Sequence, residues 1–406
     1  MDATVLAVFI AVYVGMILGR IHGLALDRTG IALLGAIVLL ATGHIRLAEA
    51  WSAVDASTIA LLFGLMIVSA QFRLSGFYST LTSHIAQLRT SPEMLLAALI
   101  GATALLSAVL ANDIVCLAMA PVLVQGCARR SLNPVPFLLA LACAANVGSA
   151  ATLIGNPQNM LIGQVLRVPF NHYLWGASLP TLLGLIVVWQ VIRRQYRGRW
   201  VVHTPVPPVE APEFSAWQTA KGTVVVLALI LVFVLTPWPR GVVALSAAAV
   251  LLMSRRTSSR TMLEAVDWHL LVLFAGLFVV NDVLRTSGSL ETMLGWTRRA
   301  GVKVGEPAWL FVIAALLSNL VSNVPATMLL LPVAHPLDGP LLALSSTLAG
   351  NLIVVGSIAN IIVIDQAQRL GVRISWLEHA RVGVPVSVLT LLIAAGWLWL
   401  LASLGW

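Results

Sequence analysis

The chain has 406 residues, of which 59% are hydrophobic and only 10% are charged, and its mean hydropathy is +0.95. Soluble domains carry roughly 25% charged residues, so the composition argues against a soluble protein and indicates an all-α polytopic membrane protein. The apolar runs are about 15–20 residues long, which is the length of a spanning helix and exceeds that of a barrel strand.

The basic residues are distributed as the positive-inside rule requires. The formal net charge is +8, and with the N-terminus placed outside, most Lys and Arg residues fall on the cytoplasmic side, including a cluster from Arg193 to Arg199. The charge therefore sets topology, and no nucleic-acid partner is expected. We expect a multi-pass protein of the plasma (inner) membrane, embedded in the lipid bilayer, with both termini outside.

The first half of the chain, residues 1–192, is predicted to form one structural repeat. Its segments are the spans 3–19, 29–47 and 55–71, an amphipathic stretch 77–90, a hairpin 92–128, a broken helix 135–167 and a span 172–192. The hairpin is predicted to be re-entrant, because polar residues at Ala111-Asn112-Asp113 separate two apolar arms. The alternative is two full spans joined outside by a tight turn.

A polar, Pro-rich segment at 193–221 is predicted to be an extended cytoplasmic linker. The second half, residues 222–406, then repeats the order of the first. Its segments are the spans 222–236, 241–254 and 268–284, an amphipathic stretch 289–303, a hairpin 306–336 with its tip at Ser322-Asn323-Val324-Pro325, a broken helix 339–370 and a span 382–404.

The break in the first half lies at Thr152-Leu153-Ile154-Gly155-Asn156-Pro157-Gln158-Asn159-Met160. Pro157 lacks a backbone N–H and clashes with the preceding turn, so a continuous helix should end here. Asn156 fits a helix N-cap followed by proline at the first helical position, so a new helix should begin. Broken helices at membrane depth are typical of transporter binding sites.

The two halves match each other in sequence. At an offset of 212 residues, Asp55, Gly64 and Gly76 align with Asp267, Gly276 and Gly288. Asn112 aligns with Asn323 at an offset of 211, and Gly155 and Asn159 align with Gly356 and Asn360 at an offset of 201. Each half has an odd number of crossings, five, so the second half should be inverted. Two inverted repeats around a midplane site are the architecture of alternating access.

Four half-helix starts should converge in this arrangement, two from the hairpins and two from the breaks. Each start exposes free N–H groups and the positive end of a helix dipole, so together they could hold an anion without Arg or Lys. The alternative for each Asn or Ser is a simple helix cap. The candidate substrate-binding residues are Asn112, Asn156, Asn159, Ser322, Asn323, Gly356, Ser357 and Asn360.

Asp113 is the candidate for binding a coupling ion. An ionisable residue at this depth is costly and indicates function, and Val324 occupies the matching position of the second half. Asp113 could ligate Na⁺, carry a proton or cap the second hairpin arm. The coupling-ion candidates are Asp113, Asn112, Gly155 and Asn156, of which Asn112, Asp113 and Gly155 could hold Na⁺.

Other polar residues have structural interpretations. Asp55 and Asp267 should cap matched helices, and Asp282 could form a local ion pair with Arg285. The three cysteines should be small core residues; they are Cys116, Cys127 and Cys143. No cofactor is expected beyond Na⁺ or H⁺ as the coupling ion.

Several of these motifs resemble those of the ion transporter superfamily, which includes divalent-anion/sodium symporters, citrate-type permeases and arsenite permeases. Ser322-Asn323-Val324 resembles the Ser-Asn-Thr hairpin tip of that group, with Val in place of Thr, and Gly155-Asn156-Pro157-Gln158-Asn159 resembles its Gly-Thr-Pro-Pro-Asn break. Ala111-Asn112-Asp113 and Gly356-Ser357-Ile358-Ala359-Asn360 are closer to the arsenite permeases. The resemblance implies a scaffold domain with dimer contacts, hence a homodimer, and a moving transport domain that carries both hairpins.

The sequence therefore predicts a secondary active transporter for a small anion or oxyanion, coupled to Na⁺ or H⁺ and working by alternating access of elevator type. The alternatives are an arsenite or antimonite efflux permease and a sodium/proton antiporter. An intramembrane enzyme is not expected, because Asp113 has no acid–base partner or metal ligands at its depth.

Overall fold

The computed structural model describes residues 2–19, 26–202, 212–254 and 256–405, and the regular elements within these ranges are all helical. The middle of the predicted linker, 203–211, lies outside the described residues. The helices of the first half are α1 (Ala3–Leu18), α2 (Arg28–Ala41), α3 (Leu47–Ala53), α4 (Ala56–Leu74), α5 (Phe77–Gln87), α6 (Pro92–Val109), α7 (Asn112–Arg129), α8 (Pro134–Ser149), α9 (Pro157–Val165) and α10 (Phe170–Gln195).

The second half repeats this order of long and short helices. Its helices are α11 (Ala216–Leu235), α12 (Arg240–Leu252), α13 (Ser259–Glu264), α14 (Trp268–Thr286), α15 (Ser289–Arg299), α16 (Pro307–Val321), α17 (Asn323–Leu330), α18 (Gly339–Ala349), α19 (Ile358–Arg369) and α20 (Trp376–Ser403). Among the described helices, six are long and apolar enough to cross a membrane: α4, α6, α10, α11, α14 and α20.

Helix starts follow local capping chemistry. Asp55 Oδ1 accepts from Thr58 N at 2.6 Å, and Asp267 Oδ1 accepts from Leu270 N at 3.0 Å, so the two aspartates cap α4 and α14 as predicted. Proline stands in the first turn of α6, α8, α9 and α16, where its missing N–H costs no helical hydrogen bond.

Some predicted bounds differ from the structure. The predicted span 29–47 ends as α2 at Ala41, because Gly43 adopts a φ of +76° and the chain closes with a bond from His44 N to Leu39 O. Helix α11 begins at Ala216, so the end of the predicted linker 193–221 is helical. The short helices α3 and α13 were not predicted.

Close backbone contacts tie the two halves together in matched pairs. A Cβ on Gly64 would lie 2.5 Å from the Ala244 carbonyl carbon, and a Cβ on Gly276 would lie 2.8 Å from that of Ala32. Both pairs are related by the 212-residue offset. Glycine at these positions lets α4 pack directly on α12, and α14 on α2.

The helices pack in two groups. One group contains α1, α2, α4, α11, α12 and α14, and the other contains α6 to α10 with α16 to α20. Helix α5 packs on α7, and α15 packs on α14. The groups meet where α4 contacts α7 and α9, where α14 contacts α17, and where α1 contacts α16. The three cysteines are buried within the core.

Candidate functional site

Four helix starts meet at one small cavity of about 20 Å³. Its walls are the tip of the first hairpin, the start of α9, the tip of the second hairpin and the start of α19, with one residue from α14. The lining residues are Asn112, Asp113, Pro157, Gln158, Leu270, Ser322, Asn323, Val324, Ser357 and Ile358. A cavity of this size has room for about one water molecule or one bare ion.

The break between α8 and α9 is held by its own asparagines. Asn156 Oδ1 accepts from Asn159 N at 2.9 Å and so caps α9. Asn159 Nδ2 donates to the carbonyl oxygens of Ser149 at 3.2 Å and Thr152 at 3.0 Å, which belong to the chain just before the break. Backbone groups that a continuous helix would have paired are therefore satisfied by a side chain.

The break between α18 and α19 is held by the same kind of bond. Asn360 Nδ2 donates to the carbonyl oxygens of Gly350 at 2.8 Å and Ile353 at 3.3 Å. Each of these residues lies 201 positions after its counterpart in the first break. Ser357 Oγ caps α19 by accepting from Ala359 N at 3.2 Å.

Each break is also supported by one polar residue from the other half of the chain. Thr347 of α18 accepts at Oγ1 from Asn156 Nδ2 at 3.3 Å and donates to Asn159 Oδ1 at 3.3 Å. Asn146 of α8 donates from Nδ2 to Asn360 Oδ1 at 3.2 Å, and its Oδ1 accepts from Ser357 Oγ at 2.8 Å. Asn146 and Thr347 are themselves 201 residues apart, so the two crossings are equivalent.

The hairpin tips are bonded to the breaks and to the first helix group. Asn112 N donates to Gly155 O at 3.4 Å, and Ala111 N donates to Ser69 Oγ of α4 at 3.0 Å. In the amide orientation that satisfies its neighbours, Asn323 donates to the carbonyl oxygens of Ser346 and Gly356, each at 3.2 Å, and accepts from Gln158 Nε2 at 3.1 Å.

Ser322 connects α16 to α17 with a φ of +76°, a backbone conformation that usually requires glycine. A non-glycine residue held there stores roughly 1–3 kcal/mol of strain. This conformation allows α17 to begin only one residue after α16 ends, which places the start of α17 at the cavity.

Among the described residues that line the cavity, only Asp113 carries a formal charge, and its carboxylate makes no hydrogen bond within the described part of the chain. It lies in the first turn of α7, where a negative charge complements the helix dipole. The other intramembrane aspartates are bound elsewhere. Asp282 pairs with Arg285 at 2.8 Å, and Asp365 pairs with Arg369 at 2.8 Å.

The predicted site residues divide into two sets. Those that line the cavity are Asn112, Asp113, Ser322, Asn323 and Ser357. Those that lie behind it and hold the breaks are Gly155, Asn156, Asn159, Gly356 and Asn360.

Sequence reasoning missed Asn146, Gln158 and Thr347. Gln158 lines the cavity, while Asn146 and Thr347 cross between the halves. The only sequence signal of these residues is a polar side chain within an apolar segment. Asn146 and Thr347 also lie 201 positions apart, which is the offset that relates the two breaks.

Several buried oxygen atoms near the cavity make no hydrogen bond among the described residues, including Asn112 Oδ1, Ser107 Oγ and Asn319 Oδ1. A Cβ on Gly155 would lie 2.3 Å from Ser149 O and 2.7 Å from Ser107 O, so carbonyl oxygens crowd this point. Neutral oxygen ligands of this kind suit a hard cation such as Na⁺. The described residues contain no His, Cys, Asp and Glu cluster that could hold a transition metal.

Comparison with known proteins agrees with this architecture. The citrate transporter family model (CitMHS) matches residues 13–341. An uncharacterized transporter of Mycobacterium tuberculosis is 28% identical over 98% of both chains. The silicon efflux transporter LSI3 of Oryza sativa subsp. japonica is 27% identical over 89% of this chain and 90% of its own.

A solved structure shares the fold. The YdaH transporter of Alcanivorax borkumensis superposes with a TM-score of 0.62 over 99% of this chain and 97% of its own, at 15% identity. The resemblance to the ion transporter superfamily is confirmed by the family match. The chain is therefore a multi-pass membrane transporter, and it belongs to the citrate transporter family.

Proposed function

We propose that the protein is a secondary active transporter that moves a small anion or oxyanion across the membrane, coupled to Na⁺ or H⁺. The observation that carries the proposal is the meeting of four helix N-termini at one small cavity whose polar lining consists of amide and hydroxyl groups and one carboxylate. N-terminal N–H groups and helix dipoles favour an anion there without any basic side chain. The cavity holds only about 20 Å³ in this conformation, so a substrate larger than an ion or a water molecule would bind only after the surrounding helices move.

Two inverted repeats, 1–192 and 222–406, would generate this site. Support comes from the equivalent bonds of Asn159 and Asn360, from the reciprocal crossings of Asn146 and Thr347, and from the repeated order of helices. Both hairpin tips line one cavity. If the repeats are inverted, the hairpins enter from opposite sides and neither crosses the membrane, which favours re-entrant hairpins over two full spans.

The two helix groups fit the division of an elevator-type transporter. The group with α6 to α10 and α16 to α20 contains both hairpins and both breaks, as a transport domain would. The group with α1, α2, α4, α11, α12 and α14 would be the scaffold, which would also form the homodimer contact. We place the protein in the plasma (inner) membrane with both termini outside, on the basis of its charge distribution.

The first half-site is our choice for the coupling cation. Among the described residues that line the cavity, Asp113 alone carries a formal charge. Asn112 Oδ1 and the carbonyl oxygens around Gly155 supply neutral ligands within the same half. A cation bound there would neutralise Asp113 and so remove the repulsion that an anionic substrate would otherwise meet. A proton on Asp113 would have the same effect.

Transport by the purified protein in proteoliposomes tests the proposal. Citrate, sulfate, phosphate and arsenite are offered separately under an imposed Na⁺ gradient or an imposed pH gradient. Uptake of an anion that needs one of the gradients is expected. Movement of H⁺ driven by Na⁺ alone, with no response to any solute, would instead indicate a sodium/proton antiporter.

Asn323→Ala tests the site itself, with Thr223→Ala as its control on an exposed face of α11. Removing the Asn323 amide takes away its bonds to Ser346, Gly356 and Gln158, so transport should be lost while the protein stays folded. Thr223→Ala should transport normally. Normal transport by folded Asn323→Ala would refute the assignment.

A second candidate is efflux of an uncharged hydroxylated species such as arsenite or antimonite. The cavity has amides and hydroxyls but no Lys, Arg or His among its described lining residues, and its one charge is negative. That composition suits a neutral polyol-like solute at least as well as a multiply charged anion, and one relative is named as a silicon efflux transporter. Arsenite movement without movement of citrate, sulfate or phosphate would favour this candidate.

A further inference from the structure

Two arginines occupy matched positions at the starts of two matched helices. Arg28 is the first residue of α2, and Arg240 is the first residue of α12. They are 212 residues apart, the offset that also relates Gly64 to Gly276. The alignment continues along the helices, where Ala32 matches Ala244, Leu33 matches Leu245, Ala36 matches Ala248 and Leu39 matches Leu251. Both arginines are half-buried.

Despite their equivalent positions, the two arginines have different partners. The Arg240 guanidinium donates to the Gly163 carbonyl oxygen in the last turn of α9 at 3.1 Å, and to the Val168 carbonyl oxygen in the connection that follows α9. This joins the proposed scaffold to the proposed transport domain. Arg28 Nε donates to the Met16 carbonyl oxygen at 3.2 Å, in the last turn of α1, and so stays within its own helix group. No bond from Arg28 to α19 is present among the described residues.

The two arginines lie at opposite ends of the molecule. Arg240 stands at the start of α12, and α14 begins near the other end of α12, after the short helix α13. Thr29 Oγ1, beside Arg28, donates to the His269 carbonyl oxygen at the start of α14 at 3.2 Å. Each arginine could therefore act at one end of the contact between the two helix groups.

The end that carries Arg240 is closed. Beside its bonds to α9, the rings of Phe170 and Phe233 lie 6.0 Å apart, and Asn171 Nδ2 donates to Val234 O at 3.1 Å. The ring contact and the Asn171 bond both join the start of α10 to the end of α11. At the end that carries Arg28, the first residue of α20, Trp376, is 63% exposed.

The two break helices differ in the same way. Met160 of α9 is 3% exposed, whereas Ile361, its match in α19 at the offset of 201, is 38% exposed. One face of α19 runs from Ile358 at the cavity through Ile361 and Asp365 to Arg369. The ion pair on this face is accessible to water, with 49% of the Asp365 side chain and 70% of the Arg369 side chain exposed. Exposure along this face therefore increases from the cavity toward the far end of α19.

We propose that Arg240 and Arg28 are paired latches that alternately close the two ends of the contact between scaffold and transport domain. This inference rests on the alternating access of the proposed function. In this conformation Arg240 holds the end of α9. In the opposite conformation Arg240 releases α9, and Arg28 leaves Met16 to bind carbonyl groups in the last turn of α19, among them that of Arg369, the match of Val168.

The chemistry of the contact suits a reversible latch. The last carbonyl groups of a helix have no intrahelical partner, and a cation there also complements the helix dipole. The guanidinium offers several donors in a planar fork, so it can bond two carbonyl groups at once and still find other acceptors after release. Since both conformations satisfy such a helix end, the exchange leaves few buried groups unpaired.

Cysteine labelling of purified protein in nanodiscs tests the latches without any substrate. Met160→Cys and Ile361→Cys serve as separate reporters, and the three native cysteines give little background because they are buried. In the parent protein, maleimide should label the Ile361→Cys reporter quickly and the Met160→Cys reporter slowly. Arg285→Gln is the control, since Arg285 is exposed and pairs only with Asp282 of its own helix among the described residues.

Arg240→Gln should raise the labelling rate of the Met160→Cys reporter about tenfold and lower that of the Ile361→Cys reporter, because losing a charge-assisted hydrogen bond shifts a two-state equilibrium by about that factor. Arg28→Gln should lower the rate of the Met160→Cys reporter, and the double variant should return toward the parent. Unchanged rates in Arg240→Gln would overturn the proposal.

If Arg240→Gln raises the labelling rates of both reporters, the variant has lost its fold. The milder variant Arg240→Lys then tests the latch. This milder variant should raise only the Met160→Cys rate, and parental rates would overturn the latch. The outcome is separate from that of the transport assay. If labelling changes as expected but the protein moves no tested solute, only the proposed substrates are contradicted. If the protein transports a solute but neither arginine affects the labelling rates, only the proposed latches are contradicted.

Discussion

Gly155→Ala is the sharpest test of how the first break is built. The added Cβ would lie 2.3 Å from the Ser149 carbonyl oxygen and 2.7 Å from the Ser107 carbonyl oxygen. Both neighbours are backbone atoms, so neither can move away by a rotamer change. Overpacking of this kind costs roughly 1–3 kcal/mol, and we expect the upper part of that range because two helices would have to shift.

Gly101→Ala is the matched control. Gly101 lies inside α6, and a Cβ there would meet nothing within 4 Å. Alanine in a helix interior stabilises by about 0.5–1 kcal/mol relative to glycine. The two variants add the same methyl group and should change stability in opposite directions.

Thermal unfolding in detergent and transport in proteoliposomes measure the difference. Gly155→Ala should lower the unfolding midpoint by several degrees and abolish transport, since the break positions Asn112 through the bond from its N–H to Gly155 O. Gly101→Ala should keep both properties or gain stability. A Gly155→Ala protein with the parental midpoint and flux would refute the reasoning that this close approach holds the site.

Three further predictions concern the cavity and its supports. Ser322→Gly should raise the unfolding midpoint relative to Ser322→Ala, because only glycine relieves the strain of roughly 1–3 kcal/mol at a φ of +76°; a lower midpoint for Ser322→Gly would contradict this. Asp113→Asn should leave the protein folded but change the Na⁺ or pH dependence of its flux, and an unaltered ion profile would reduce Asp113 to a residue of the helix start. Asn146→Ala should destabilise the protein by about 2–3 kcal/mol in thermal unfolding, because buried polar atoms of Asn351, Ser357 and Asn360 lose their hydrogen bonds. Thr223→Ala should be neutral in the same assay. Equal unfolding midpoints for the two variants would show that the Asn146 bonds add no stability.

Local chemistry made much of the break predictable. A proline after an asparagine in an apolar run has few compatible conformations, and Asn156 caps α9 just as that chemistry requires. The sequence match between the two halves was also visible, because glycine and asparagine have backbone roles that tolerate few replacements.

Side-chain direction was not predictable in the same way. Asn156 and Gln158 are both polar and close in sequence, yet Asn156 turns back to its own helix while Gln158 lines the cavity. Asn146 and Thr347 act on the opposite half of the chain, and no local pattern indicates which distant segment a buried side chain will meet. Helix ends such as that of α2 depended on a single glycine conformation at Gly43.

The two halves share the residues that hold the breaks and differ in the residues that line the cavity. Gly155 and Asn159 are identical to Gly356 and Asn360, and all four act on the backbone behind the cavity. The facing positions have diverged instead. Asp113 is matched by Val324, Pro157 by Ile358 and Gln158 by Ala359, while only Asn112 and Asn323 stay the same within the lining.

Divergence at the lining gives the two half-sites different chemistry. The first half presents a carboxylate and two amides, whereas the second presents two hydroxyl groups, an amide and three apolar side chains. In the proposed function, a cation would bind next to Asp113, and the helix starts of α17 and α19 would face the substrate. If the halves had stayed identical, two carboxylates would face each other across about 20 Å³, and an anion could not enter at low energy. The difference between the two half-sites therefore fits the proposed coupling, in which a cation and an anion would share one small space.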